Sequence, residues 1–368
     1  MLSRRQFSYQ MLAGLTLLAG QSAKASEMTK RPRVPAEWEP HQYSVMAWCA
    51  QHDLYNSRDI RAIHREQVSL AKAVAQFEKV IMLVNPEDEE DAARALGRAA
   101  TLLPLRLDDV WTRDTLPLIG ITDKSRIGLN LNFNGWGDEF LGQDGHDPYA
   151  RDKALARLFL HRMALREKVL PVIAEGGAIE LDGQGTMITT ETCLLNRNRN
   201  PGLDKRDIEA AFRDHMGIGQ VIWLYGSDAD EVTDGHVDGM TRFIAPGVVV
   251  TEVTDDREDP EYHDLQENLA RLRSARDAHG RELTIHKIQR PYWDEMPERG
   301  DDFAASYVNY YLPNDGLVMA EFGDRRRDQA ARDLLRKLMP TRRIITLRAD
   351  TIAEGGGGIH CNTWQMPA

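Results

Sequence analysis

The chain has 368 residues, with 46 Lys and Arg against 57 Asp and Glu, and its formal charge of -11 argues against nucleic acid as a partner. Hydrophobic residues make up 42% and charged residues 28%, a globular composition that is neither disordered nor fibrous. Three cysteines, at 49, 193 and 361, are an odd number, so at least one thiol stays unpaired.

In chain order, Ser3-Arg4-Arg5-Gln6-Phe7 precedes the apolar run from Met11 to Gly20 and then Ala23-Lys24-Ala25. This pattern is that of a twin-arginine-type export signal. The apolar run is about half of the roughly 20 residues that span a bilayer, and an Ala-x-Ala cleavage site follows it directly. The expectation is residues 1–25 as a removed signal and 26–368 as a single catalytic domain, periplasmic and without stable membrane association after cleavage. Removing Arg4, Arg5 and Lys24 with no acid leaves the mature chain more acidic still, with a field that draws cations inward.

Periodicity in the remainder predicts helices over Ser57–Lys79, Pro86–Ala100, Ala150–Glu167, Asp204–Met216, Pro260–Asp277 and Arg326–Leu338. It predicts strands over Val80–Val84, Leu102–Leu107, Ile127–Phe133, Val169–Ile173, Val221–Tyr225, Glu282–Gln289 and Arg343–Leu347, with hairpins at Asp182–Gly185, Pro246–Gly247 and Asn314–Gly316. Strands that follow helices run into loops bearing Asp114, Glu175, His236 or Cys361. The first three are spaced by 61 residues and the last by 125, close to two periods. One step back falls on Asp53, and one step past His236 falls near the acidic loop Glu298–Asp302. Units of this size cannot bury both faces alone, so an α/β fold of about five blades around a centre is expected, with the loops pointing inward.

No Gly-x-Ser-x-Gly elbow, phosphate-binding loop or Cys-x-x-Cys pair occurs. The run Gly355–Gly358 has no helix after it, so it suits close backbone approach to a ligand beside Cys361 rather than dinucleotide binding. What remains is a thiol, an imidazole and several acids. Cys361 near His236 forms an activated nucleophile if the imidazolium stabilises its thiolate. His236 and Asp238, two apart, share one side of an extended segment. Asp114 and Asp238 together suit a planar cation, because guanidinium offers five N–H donors in a fixed fork to paired carboxylates. Singly, each acid also reads as a surface charge or helix cap, and His236 as a core histidine. The joint pattern favours a site.

The runs Trp111-Thr112-Arg113-Asp114-Thr115, Glu175-Gly176-Gly177, Thr189 to Pro201, Gly235-His236-Val237-Asp238 and Gly356 to Cys361 resemble the agmatine deiminase family. So do Pro35 to His41 and Met46-Ala47-Trp48 near the start. That family is grouped with the bacterial peptidylarginine deiminases among guanidino-group-modifying enzymes, and the likeness covers nearly the whole mature chain in order. It implies a pentein-like, five-bladed pseudo-symmetric α/β propeller and hydrolytic deimination without metal or organic cofactor. Cys361 is then the nucleophile, His236 the acid and base, and Asp114 and Asp238 the guanidinium clamp. Glu175 orients His236 or holds a guanidinium nitrogen, and Trp111 walls the pocket. The implied partner is a small cationic guanidino substrate, with homo-oligomerisation left open.

Three positions depart from the family pattern: Leu116 for the usual glycine, Val232 for an acid four residues before the histidine, and Cys49 for proline. The reaction expected first is agmatine to N-carbamoylputrescine and ammonia. Glu231, Asp234 or Asp53 could compensate for Val232 at the amine end. The alternatives are a deiminase of peptidyl-arginine, a metal hydrolase using His236, Asp238, Asp114 and Glu175, and a non-catalytic periplasmic binder of cationic metabolites.

Overall fold

A computed structural model describes residues 31–48, 57–123, 125–137, 147–230, 232–297, 299–300 and 303–368. The expected signal over 1–25, together with Cys49, Asp53 and Glu231, lies outside the described residues. Helices and strands alternate, so the chain is of the α/β class, and the described strands form five separate sheets.

The first sheet contains β1 (His41–Ala47), β2 (Val80–Val84) and β3 (Thr101–Pro104), all parallel. Parallel neighbours need a crossover, supplied here by α1 (Ser57–Val74) and α2 (Glu89–Leu96). Covered on both faces, β2 reads as the unbroken apolar run Val-Ile-Met-Leu-Val. Along α1 the buried positions Ile60, Ile63, Gln67, Leu70, Ala71 and Val74 recur every three or four residues, the stripe that seats a helix on a sheet.

Three further sheets repeat one plan, in which an antiparallel pair is followed by a helix and a parallel third strand. They are β4 (Leu118–Ile121), β5 (Arg126–Asn130), α3 (Asp152–Arg162) and β6 (Arg166–Val169); β7 (Glu180–Leu181), β8 (Thr186–Thr190), α4 (Lys205–Met216) and β9 (Gln220–Leu224); and β10 (Thr241–Ala245), β11 (Val248–Val253), α5 (Tyr262–Ser274) and β12 (Thr284–Gln289). In the fifth, β13 (Gly316–Ala320) and β14 (Arg343–Leu347) are parallel across α6 (Arg325–Leu338), and a single antiparallel bridge from Tyr311 to Val318 replaces the first strand. Finally β15 (Trp364–Pro367) pairs antiparallel with β1, so the C-terminal strand completes the N-terminal sheet.

Local signals set several boundaries. Asp204 accepts the Arg206 and Asp207 N–H groups while the Asp207 side chain returns to the Asp204 N–H, and Gly217 at φ 73 ends α4. Other expected spans need correction. α3 stops at Arg162, and Ala164 takes φ 53, so the chain turns early. The strand expected over Val169–Ile173 lies at Arg166–Val169, and buried Leu170 and Val172 belong to the loop beyond it. α1 ends at Val74, not Lys79.

In every sheet the last parallel strand runs into a loop that supplies the site. β3 leads to Trp111 and Asp114, β6 to Glu175 and Gly177, β9 to His236 and Asp238, β12 to the segment around Asn309, and β14 to Cys361. The largest apolar cluster joins residues of α1, β2, β13 and α6 to Tyr307, Tyr310 and Leu312, clamping the fourth of these loops from both ends.

Candidate active site

Asp114, Glu175, His236 and Asp238 come from three different sheets, yet all are at most 5% exposed. Gly177 joins them. Its N–H donates to Asp114 Oδ1 at 2.8 Å and its carbonyl accepts the Asp238 N–H at 3.1 Å. A Cβ built on Gly177 would lie 2.6 Å from His236 Nδ1, 2.9 Å from Asp114 Oδ1 and 3.2 Å from Asp238 Oδ1. Two carboxylates and one imidazole nitrogen therefore converge on a point that only glycine leaves clear. His236 and Asp238 do not share an extended strand, because Val237–Gly239 is a single 3-10 turn; the turn still brings both inward.

The imidazole lies between acids. His236 Nε2 is 3.2 Å from Glu175 Oε2, and Nδ1 is 3.8 Å from Asp114 Oδ2. Burial pulls its pKa down, but the Asp114 charge and the bonds to Cys193 and Glu175 outweigh it and hold the ring well above the usual histidine range. Glu175 is fixed in turn by Arg199, whose Nε donates to Oε1 at 2.7 Å and whose Nη1 donates to Asp234 at 2.7 Å. Burial alone would raise the Glu175 carboxyl; the His236 bond and the Arg199 charge keep it below its ordinary value. Of the two partners expected for Glu175, His236 is the one in contact with it here.

A second buried imidazole bridges Asp238 and Glu37. His360 Nδ1 is 2.6 Å from Asp238 Oδ2 and Nε2 is 2.7 Å from Glu37 Oε2. Arg113 and Arg242 each reach Glu37 at 3.0 Å. Burial works against both carboxylates, but His360 holds Asp238 below its ordinary value, and Arg242, His360 and Arg113 hold Glu37 well below. Asp114 differs. Burial, with the Asp238 and Glu175 charges, raises its carboxyl despite His236. A cation placed beside Asp114 and Asp238 would relieve this repulsion.

Cys361 Sγ lies 3.7 Å from Asp238 Oδ2 and 3.2 Å from Asn309 Nδ2. Burial and the Asp238 and Asp114 charges push its thiol well above the ordinary range. The groups beside the sulfur are Asn309 and Asp238, while His236 contacts Glu175 and Asp114. Cys361 opens on a cavity of about 640 Å³ also lined by Trp111, Asp114, Trp136, Val232 and Gly357. Trp111 is tied through Nε1 to Asp109 Oδ2 at 2.9 Å and packs over Gly357, in its expected place at the wall. Trp136, absent from the sequence reading, donates Nε1 to Asp114 Oδ2 at 3.0 Å. Val232 is 40% exposed at the rim. Asp234 is bound by Arg199, Asn196 and Asn198, and Leu116 is buried in the core.

Among the described residues, Glu175, Cys193 and His236 bring potential metal-ligand atoms within 4.8 Å of one another. Asp114 and Asp238 do not join that group. Arg199, fully buried, holds Glu175 Oε1 at 2.7 Å, and burial with the Glu175 charge pushes the Cys193 thiol up to about 11. Among the described residues, Cys193 and Cys361 are free thiols.

The chain is 38% identical over 367 residues to the agmatine deiminase of Ectopseudomonas mendocina (strain ymp), covering 93% of this chain and 98% of that one. It is 36% identical to the agmatine deiminase of Pseudomonas aeruginosa (strain LESB58), covering 91% and 95%. Among solved structures, the agmatine deiminase of Enterococcus faecalis superposes with a TM-score of 0.86 at 30% identity, over 92% of this chain and 97% of that one. Fold, site and relatives together define a hydrolase acting on carbon–nitrogen bonds of linear amidines. The sequence profile described as Porphyromonas-type peptidyl-arginine deiminase matches residues 33–367, and the chain belongs to this family.

Proposed function

We propose that this enzyme hydrolyses agmatine to N-carbamoylputrescine and ammonia through a covalent intermediate on Cys361. The observation that carries the reading is the convergence of Asp114, Asp238 and His236 Nδ1 on the space beside Gly177, with the Cys361 sulfur against Asp238. Agmatine is the substrate named for the relatives that resemble this chain along most of its length.

Asp114 and Asp238 hold the guanidinium nitrogens, and the incoming cation relieves the carboxylate field that keeps Cys361 protonated, so the thiol releases its proton to solvent. The thiolate attacks the central carbon and forms a C–S bond. The His236 imidazolium donates its Nδ1 proton to one nitrogen, which leaves as ammonia when the C–N bond breaks. A cationic amidino thioether remains. Water attacks the same carbon and gives a proton to His236. The C–S bond then breaks, returning the thiolate, and loss of one proton leaves the ureido product. Splitting the reaction this way matters because a resonance-stabilised cation is a poor target for water alone.

The five sheets close into a five-bladed ring. Support comes from their shared plan, the pairing of β15 with β1, and the five strand-end loops that meet at one site. The leader at residues 1–25 sends the enzyme to the periplasm as one domain from residue 26. A second reading, release of citrulline residues from peptidyl-arginine, is favoured by the family profile. Ammonia release from agmatine, free arginine and a peptide ending in arginine separates the two. Fastest turnover of agmatine supports the first, preference for the peptide replaces it with the second, and inactivity on all three rejects both.

A further inference from the structure

We propose that Asn309 is a catalytic residue of this site, whose side-chain N–H group stabilises the Cys361 sulfur as a thiolate when it attacks. The inference rests on Cys361 being the nucleophile.

Asn309 is 7% exposed, and its Nδ2 lies 3.2 Å from Cys361 Sγ. The other half of the amide faces His360, whose backbone N–H Oδ1 accepts at 2.9 Å, and Oδ1 stands farther from the sulfur, at 3.6 Å. Turning the amide over would set two donors face to face, so the N–H must point at the sulfur. Gly358 leaves room for this approach, since a Cβ there would collide with Asn309 Oδ1.

The surroundings of the sulfur make such a donor consequential. Asp238 Oδ2 stands 3.7 Å away and the Asp114 charge is also felt there, so both nearby carboxylates oppose a thiolate. Against them stand the Asn309 amide and the Gly358 backbone N–H. An amide suits the place better than a Lys or Arg would, because a fixed cation would compete with a cationic substrate for Asp114 and Asp238.

The segment is anchored for this purpose. Tyr307 N donates to Glu252 Oε1 at 2.7 Å, the Tyr310 carbonyl accepts from Arg242 Nη1 at 2.9 Å, and Leu312 N donates to Glu37 Oε1 at 3.0 Å. Asn309 thus stands on the β12 loop where the other four loops carry Asp114, Glu175, His236 with Asp238, and Cys361. Every sheet then contributes a working side chain.

The test is the rate of iodoacetamide alkylation of Cys361 in the full-length enzyme without substrate, from about pH 6.5 to about pH 10, read on the tryptic peptide Ala349–Ala368. Asn309→Ala and Asn309→Asp should each slow alkylation about tenfold near neutral pH and move the profile to higher pH. Asn309→Asp keeps the acceptor for the His360 N–H but adds a charge that itself opposes a thiolate, so the uncharged Asn309→Ala decides, and for it a purely structural role predicts an unchanged profile. An unchanged profile in either folded variant overturns the proposal. If Asn309→Ala does not fold, the unmodified enzyme decides by NMR. The Asn309 side-chain amide signals must titrate with the Cys361 thiol, and signals that do not respond overturn the proposal. Alkylation needs no turnover, so an enzyme that fails on agmatine but shows the expected profiles rejects the substrate reading alone.

Discussion

Gly177→Ala adds one methyl group at the point where the clamp and the imidazole meet. Gly177 is not among the residues at positive φ, so alanine meets no backbone penalty and the effect is one of contact alone. The new carbon would sit 2.6 Å from His236 Nδ1 and 2.9 Å from Asp114 Oδ1, short of ordinary van der Waals contact by half an ångström or more. Neither neighbour yields easily: Asp114 is bound by the Gly177 N–H and Trp136, and His236 by Glu175. Overpacking of this kind costs about 1–3 kcal/mol of stability, a loss that a domain of this size survives. A displacement approaching 1 Å between acid, base and substrate costs about 100-fold in rate. The expected result is a folded enzyme, with cooperative thermal unfolding near that of the parent, whose kcat/KM for the best guanidine substrate is about 100-fold lower. A Gly177→Ala enzyme with unchanged kcat/KM would refute the reasoning that substrate binds at this convergence.

His360→Leu removes the imidazole between Asp238 and Glu37 and leaves Asp238 without its closest partner; it should cost about 3–5 kcal/mol in urea unfolding at neutral pH and abolish turnover. Glu252 is buried, and burial pushes its carboxyl up to about 7 against the pull of Arg290. Between the unfolded value near 4.5 and that folded value the native state binds more protons, so this group's contribution is full at low pH and is lost as pH rises, by up to about 3 kcal/mol. Glu252→Gln should therefore raise the melting temperature relative to the parent above about pH 7 and lose that advantage below about pH 4.5, as checked by calorimetry across the range. Equal shifts at both ends would contradict the assignment.

Much of the site was legible in the sequence because its chemistry sits at a regular spacing. Asp114, Glu175 and His236, 61 residues apart, each follow the last strand of a sheet. In the fourth unit the rule pointed at the acidic loop near residue 297, whose acids lie outside the described residues; Asn309 reaches the sulfur from farther along the β12 loop, after an anchored Tyr-Val segment. Trp136 escaped for a different reason. Its indole meets Asp114 only through tertiary packing against Phe133 and Tyr149, which leaves no periodic trace. β6 was misplaced because its Arg-Glu-Lys-Val sequence is a half-exposed partner of β5, while the apolar run after it is a buried loop. A cysteine and a histidine suggested an ion pair, whereas the neighbours of the sulfur at 3.2 Å and 3.7 Å, Asn309 and Asp238, come from distant segments that spacing along the chain does not pair.

The central claim is a covalent bond between Cys361 and the guanidinium carbon. Brief acid quenching of the full-length enzyme during turnover of agmatine, followed by mass spectrometry of the intact chain and its tryptic peptides, tests it most directly. The account predicts an added mass equal to the guanidine less ammonia, confined to the peptide Ala349–Ala368 and absent from Cys361→Ser. Steady turnover with no adduct under conditions that trap such thioethers, or an adduct on the peptide bearing Cys193, would contradict it.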